Sequence, residues 1–245
     1  NHGGSIEQAK CLIDAAKEAG ADAVKFQHFN SQRLWGDDRI KHLELTESEL
    51  ITLAEYSAQS GLEFMCTPFG VPEVKFLTPL VKRMKIASGC LHRTELLRAV
   101  ASTGLPVILS TGMSILPEIR YALDQLEDDV TLLHCTSAYP CPTEAVNLKA
   151  MLTLRRIFNM PVGYSDHTSG ITIAIAAVAI GARVIEKHLT LDRETKGPDH
   201  SASIEPDLFH RMVIKIRTVE ESLGNGQKKI HPCEEALRKA WRVAS

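Results

Sequence analysis

At 245 residues the chain is long enough to bury roughly 70–75% of the surface its unfolded form exposes, so no disulfide is needed to hold a core. A net charge of -2 with 24% charged residues excludes a strongly basic surface for nucleic acid or an anionic membrane, and no uninterrupted apolar run reaches the ~20 residues of a membrane span. The six cysteines have no CxxC spacing, which favours free thiols in a reducing, cytoplasmic setting over a disulfide framework.

From Ser5 onward Ile6, Ala9, Ile13 and Ala16 recur at helical spacing until Gly20 stops the run. Residues 21–27 read as a strand in which Lys25 and Gln27 share a face. A polar loop leads to Thr46, which caps a second helix, with Glu49 completing a capping box and Gly61 near its end. A strand over 62–67, a turn at Pro68 and Gly70 and a short helix over 74–80 come next. The same beat continues with strand 83–88, helix 94–102, strand 106–111, helix 114–126 and strand 130–135. After a proline-bearing loop and a helix over 147–158, one strand ends at 164–167 and another at 186–188, with an alanine-rich helix over 171–181 between them. A last helix keeps Phe209, Met212, Ile216, Val219 and Leu223 on one face up to Gly224, and 225–245 reads as a tail or linker with a helical run over 234–242.

Strands alternating with helices predict a parallel sheet covered by helices. The count is seven strands and eight helices, one strand short of a (β/α)8 TIM barrel. The expectation is therefore such a barrel over residues 1–224, with Asn1 and His2 as the exit loop of a first strand that the given chain lacks. An open doubly wound sheet is the alternative, but no GxGxxG follows any strand, and polar residues recur at nearly every strand's carboxyl end, where a barrel builds its site.

In chain order those strand ends present Lys25 and Gln27, Thr67, Lys85 and Ser88, Ser110 and Thr111, His134 and Ser137, Ser165 and His167, and Glu186 and His188. Two lysines among a ring of hydroxyls suit a small, multiply charged anion such as a phosphorylated carboxylic acid. The competing reading is paired or snorkelling lysines; against it, an unpaired buried ammonium is costly. His167 and His188, at the ends of strands joined by one crossover helix and with Glu186 alongside, point to a divalent metal site with open positions. The structural alternative is two hydrogen-bonded histidines. His134 is read as core or as support for the site, and Cys66 and Cys135 as packed thiols.

The motifs Asn1-His2-x-Gly4, Ala19-Gly20-Ala21-Asp22-Ala23-Val24-Lys25-Phe26-Gln27, Lys85-Ile86-Ala87-Ser88-Gly89 and Ser110-Thr111-Gly112-Met113 are followed by His134-Cys135-Thr136-Ser137-Ala138-Tyr139-Pro140. Then come Gly163-Tyr164-Ser165-Asp166-His167-Thr168, Ile185-Glu186-Lys187-His188, Gly197-Pro198-Asp199-His200 and Ser203-Ile204-Glu205-Pro206. Taken together they make the chain resemble the sialic acid synthase family over essentially its whole length. The resemblance implies a TIM barrel that condenses phosphoenolpyruvate with an N-acetylated amino sugar, giving a nine-carbon 2-keto acid and phosphate. It implies a divalent metal, manganese by preference with magnesium or cobalt as alternatives, on His167 and His188. Phosphoenolpyruvate would be held by Lys25, Thr67, Lys85, Ser88, Ser110, Ser137 and Ser165, and the open-chain sugar by Gln27, Tyr139, Glu186 and Asp199. Lys25, Lys85, Glu186 and His188 would carry the chemistry, and the full-length protein would be a homodimer.

The chain departs from the family pattern in three places. Ser88-Gly89-Cys90 followed by Arg93 stands where the family commonly has Ser-Gly-Glu and then Asn; a thiol is a poor substitute for a carboxylate that orients water. The first strand, and after Ser245 an antifreeze-like domain, are the other two. Two other classes remain open at this level: a Schiff-base aldolase using Lys25 or Lys85, and a non-catalytic barrel that keeps these residues without turnover.

Overall fold

The structure, a computed structural model, describes residues 1–126 and 129–243. It is an α/β fold whose strands all run parallel. β1 (Ala23–His28) pairs with β2 (Glu63–Pro68), and β3 (Met84–Ile86), β4 (Val107–Ser110), β5 (Val130–His134), β6 (Val162–Asp166) and β7 (Ile185–Lys187) form a five-stranded sheet in that order. β2 and β3 lie side by side without ladder hydrogen bonds. The Arg83 guanidinium on the Glu63 carboxylate, Nε to Oε1 at 2.6 Å, joins them at their amino ends. The result is a curled parallel half-barrel with helices outside. Among the described residues, β1 has no partner on its other edge and β7 has none on its own.

The predicted helices are present, and their ends follow local chemistry. α1 (Ile6–Glu18) is capped by Ser5, whose hydroxyl accepts from the Gln8 amide, and α3 (Glu47–Gln59) carries the expected Thr46/Glu49 capping box. A short helix, α2 (Ser31–Trp35), lies inside the loop read as polar; Asn30 caps it and Gly36 ends it in the left-handed region, φ 76°. One turn of five residues has no apolar period to reveal it. α4 (Val71–Leu77) begins and ends earlier than the predicted 74–80, because Pro72 suits the first turn and the Thr78-Pro79 step disfavours helix. α5 (Thr94–Ala101), α6 (Leu116–Leu123), α7 (Lys149–Phe158), α8 (Thr172–Ala179) and α9 (Pro206–Leu223) match their predicted positions within a few residues, and α10 (Glu235–Val243) occupies the tail. Several strands are shorter than read: β3 stops at Ile86 because Ser88–Cys90 forms a 3-10 turn, and β6 and β7 stop one residue short of His167 and His188. No helix among the described residues is long and apolar enough to cross a membrane.

The core has two parts. Between sheet and helices lies the larger, built on Phe26, Phe64, Met84, Ile86, Leu109 and Leu132. Inside the curl, Met65, Ile108 and Leu133 pack with Ala23 and Val184 into an apolar plug. Gly163 makes this plug possible: a Cβ there would strike the Val184 carbonyl and the Leu133 side chain. Side chains alternate faces along each strand, so the next inward residues sit directly above the plug, at the carboxyl ends.

Candidate active site

Above the apolar plug the inward positions turn polar in one step. Lys25 (β1), Lys85 (β3), Ser110 (β4), Ser165 (β6) and Glu186 (β7) meet there. The Glu186 carboxylate is the hub: Oε1 is 3.2 Å from Lys25 Nζ, Oε2 is 3.8 Å from Lys85 Nζ, and Oε2 accepts from the Ser165 hydroxyl at 2.6 Å. Lys85, 2% exposed, also donates to Ser110 Oγ at 2.7 Å and to the Ile86 carbonyl at 3.1 Å. Burial opposes the charge of Glu186, but Lys25, Lys85, the Ser165 hydroxyl and His188 outweigh it and hold the carboxyl well below the usual carboxylate range. For Lys85 burial is the larger influence and lowers its pKa, against the opposing pull of Glu186. Glu186 is thus an anion flanked by two amines, one of them stripped of water.

A second group forms beside it. Ser88 Oγ accepts from the Gly112 amide at 3.0 Å and lies 3.2 Å from Cys135 Sγ. A Cβ on Gly112 would collide with Ser137 Oγ and stand 3.0 Å from both Ser88 Oγ and Cys135 Sγ. Glycine at 112 therefore leaves room where two hydroxyls and a thiol converge. Burial pushes the Cys135 thiol up, so it is a neutral neighbour here. Thr67, 1% exposed, has a hydroxyl with no partner among the described residues. It faces the interior in register with Gln27, and an orphaned buried hydroxyl of this kind awaits a ligand or water.

The third group holds the imidazoles. His167 and His188 lie with ring centroids 5.4 Å apart, and Tyr139 stacks on His167 at 4.2 Å and meets His188 edge-on at 5.9 Å. His167 Nδ1 is 2.8 Å from the Thr136 carbonyl; a carbonyl only accepts, so the proton sits on Nδ1 and the Nε2 lone pair is free. Burial lowers the pKa of both rings, that of His188 to about 4 with Asp199 pulling the other way. Both are neutral near pH 7, the form that ligates metals. Asp199 Oδ2 stands 3.9 Å from His188 Nδ1. Among the described residues no three His, Cys, Asp or Glu side chains converge on one point, so the donor set is two imidazoles. That set fits a divalent ion that keeps most positions open.

The residues expected to hold substrate or metal lie at these strand ends, whereas Cys66 is packed in the main core. Direct contacts join the two amines to the Glu186 carboxylate and the two imidazole rings to each other, while Gln27 lines the cavity beside Lys25 and Glu186. Sequence reasoning missed several supports. Asn1 Nδ2 donates to the Leu189 carbonyl and to Ser203 Oγ, both at 2.7 Å, and Ser203 Oγ in turn donates to the Asp199 carbonyl at 2.6 Å, which fixes the segment carrying Asp199. Asparagine at the amino end of a rim loop was the available signal. His134 accompanies the site from outside it, with Nε2 2.7 Å from the Val146 carbonyl. The cavity, about 760 Å³, runs from the rim down between β1 and β7 to Ile13 and Ala16 of α1 and Met212 and Ile216 of α9.

A parallel α/β half-barrel with lysines, a carboxylate and two imidazoles at its carboxyl rim places the chain in the class of TIM-barrel-like enzymes. Within that class the chain belongs to the NeuB family, which it matches over residues 12–228, the family of the sialic, legionaminic and pseudaminic acid synthases. It is 44% identical over 266 residues to the N,N'-diacetyllegionaminic acid synthase of Legionella pneumophila, with 97% of this chain and 75% of that protein covered. The N-acetylneuraminic acid synthetase of Leptospira borgpetersenii, solved with citrate, superposes with a TM-score of 0.92 at 37% identity, covering 99% of this chain and 88% of that one. A truncated 3-deoxy-D-arabino-heptulosonate 7-phosphate synthase from Thermotoga maritima, 18% identical with a TM-score of 0.73 over 90% of this chain and 84% of its own, shares the fold alone.

Proposed function

We propose that this chain is a sialic-acid-type synthase that condenses phosphoenolpyruvate with an open-chain N-acetylated amino sugar. The observation that carries this reading is the Lys25–Glu186–Lys85 cluster, two amines and a ring of hydroxyls above an apolar plug. Lys25 and Lys85 attract the carboxylate and phosphate of phosphoenolpyruvate, with hydroxyl donors from Thr67, Ser88, Ser110, Ser137 and Ser165 around it. Gln27, Tyr139, Glu186 and Asp199 receive the hydroxyls and the acetamido group of the sugar.

The methylene carbon of phosphoenolpyruvate forms a bond to the sugar's aldehyde carbon, and the positive charge left on the neighbouring carbon is taken by water. The tetrahedral species then breaks its carbon–oxygen bond to phosphate, giving the 2-keto acid. The lysines offset the charge that collects on the departing phosphate. Glu186, held ionised, orients a sugar hydroxyl or the incoming water. A divalent ion on His167 and His188, manganese by preference, would supply Lewis-acid polarisation of the aldehyde. The catalytic form is further proposed to close the cleft between β1 and β7 with one more parallel strand, completing an eight-stranded barrel.

The acceptor panel follows from the names of the relatives: N-acetylmannosamine, its 6-phosphate and the diacetamido deoxy sugars. Phosphate release from phosphoenolpyruvate is expected with Mn2+ and one member of that panel, and is expected to vanish with chelator or in His188→Ala. Release that survives chelator, with borohydride trapping a covalent adduct on Lys25 or Lys85, would replace this reading by a Schiff-base aldolase.

A further inference from the structure

β6 and β7 run in register, with Ser165 beside Glu186 and Asp166 beside Lys187. Alternation sends the first pair inward to the site and the second outward, beneath the helices. The outer pair is an ion pair with both side chains 0% exposed, Lys187 Nζ to Asp166 Oδ2 at 2.9 Å. Lys187 also donates to the Thr168 carbonyl at 2.5 Å, and Asp166 Oδ1 accepts from the Thr168 amide at 2.9 Å and its hydroxyl at 2.7 Å. These bonds close a loop around one residue, His167, from both sides.

We propose that Lys187, Asp166 and Thr168 are positioning residues that aim the His167 imidazole at His188. A buried ion pair is a poor stabiliser compared with apolar side chains of the same size, so its place behind the site asks for another account. Lys187 sits between Glu186 and His188 in the chain and grips the residues on either side of His167. One ammonium therefore sets the spacing of the two strand ends that carry the imidazoles. The other anchors of His167, its carbonyl to the Cys141 amide and Nδ1 to Thr136 O, both 2.8 Å, orient the ring only if its backbone is already fixed.

The inference rests on the reading of His167 and His188 as metal ligands, and the test separates the two. Mn2+ alone, without substrates, is titrated into the parent chain, Lys187→Met and Thr168→Val, with the free ion followed by electron paramagnetic resonance. Lys187→Met is expected to bind about tenfold more weakly, the size of loss found when a ligand's supporting partner is removed, and Thr168→Val less so. Phosphoenolpyruvate affinity should stay at the parent value in both, which a general loss of structure would not allow. Folded variants with parental Mn2+ affinity would overturn the proposal. Should Lys187→Met not fold, Thr168→Val decides alone. A parent chain that takes up no Mn2+ removes the metal reading only. The ring nitrogen spectrum of His167 then decides: a single Nδ1-protonated tautomer in the parent that becomes mixed in Thr168→Val upholds the positioning role, and an unchanged tautomer ends it.

Discussion

Glu186 touches two ammonium groups and a hydroxyl within 3.8 Å, while two residues on, at the end of the same strand, His188 is kept neutral by burial. Lys25, Lys85, His167 and His188 were legible because each interrupts or ends an apolar strand run, where a charged or titratable side chain is costly without a purpose. The contacts that make Glu186 the partner of both lysines were not. In the sequence it stands beside His188 and reads as its companion, but its contacts come from β1 and β3, far away in the chain, and no local pattern encodes them. The buried imidazoles set a pH dependence. His188 has a folded pKa near 4 against about 6.5 when unfolded, so between these values the unfolded chain binds a proton that the folded one refuses. Stability from this source is complete above about pH 6.5 and is lost as the pH falls toward 4. Melting temperature followed from pH 8 to pH 5 should fall, and His188→Gln should flatten the descent; parallel curves for the two proteins would show that His188 is not a cause.

Among the elements, the 3-10 turn Ser88–Cys90 shows how neighbouring residues part company. Ser88 directs its hydroxyl to the Gly112 amide in the site, but Cys90, 1% exposed, faces the main core. Burial raises the Cys90 thiol, with Arg93 and Lys85 opposing, and Arg93 spends one of its donors on the Phe69 carbonyl at 2.9 Å. The departure from the family pattern at 90 therefore falls on a packed thiol, a conclusion that needed the turn's geometry, because the sequence alone read 83–88 as continuous strand. Cys90→Ala is expected to cost about 1–2 kcal/mol in stability through the small cavity it leaves, lowering the melting temperature by several degrees. Sugar-dependent phosphate release should keep its parental rate below the melt. A specific loss of turnover in a fully folded Cys90→Ala chain would instead place the thiol in the reaction.

At the scale of the molecule, the strand-helix alternation made the parallel sheet legible, and the seven strands read from the sequence are the strands found among the described residues. What the sequence could not give was the character of the opening. It is a cleft walled by Ile13, Ala16, Met212 and Ile216, continuous with the site at Lys25 and Glu186, and bounded by edges of β1 and β7 that have no strand partner among the described residues. Unpaired strand edges beside apolar walls favour one more strand, whose backbone would satisfy both edges while its side chains fill the cleft. The loop of Asn1, tied to Leu189 just past β7, lies at the carboxyl end of that cleft, so a segment added ahead of Asn1 is expected to run into it parallel to both neighbours. Extending the chain there with about 5–6 residues of strand-forming, alternating character should raise the melting temperature and slow amide exchange along β1 and β7, leaving β4 and β5 as they were. It should also sharpen sugar-dependent phosphate release, since Lys25 and Glu186 face each other across the opening and their 3.2 Å contact is then held from both sides. An extension that remains mobile, with exchange at both edges unchanged, would mean that the cleft is the working form of the site and that the half-barrel acts open.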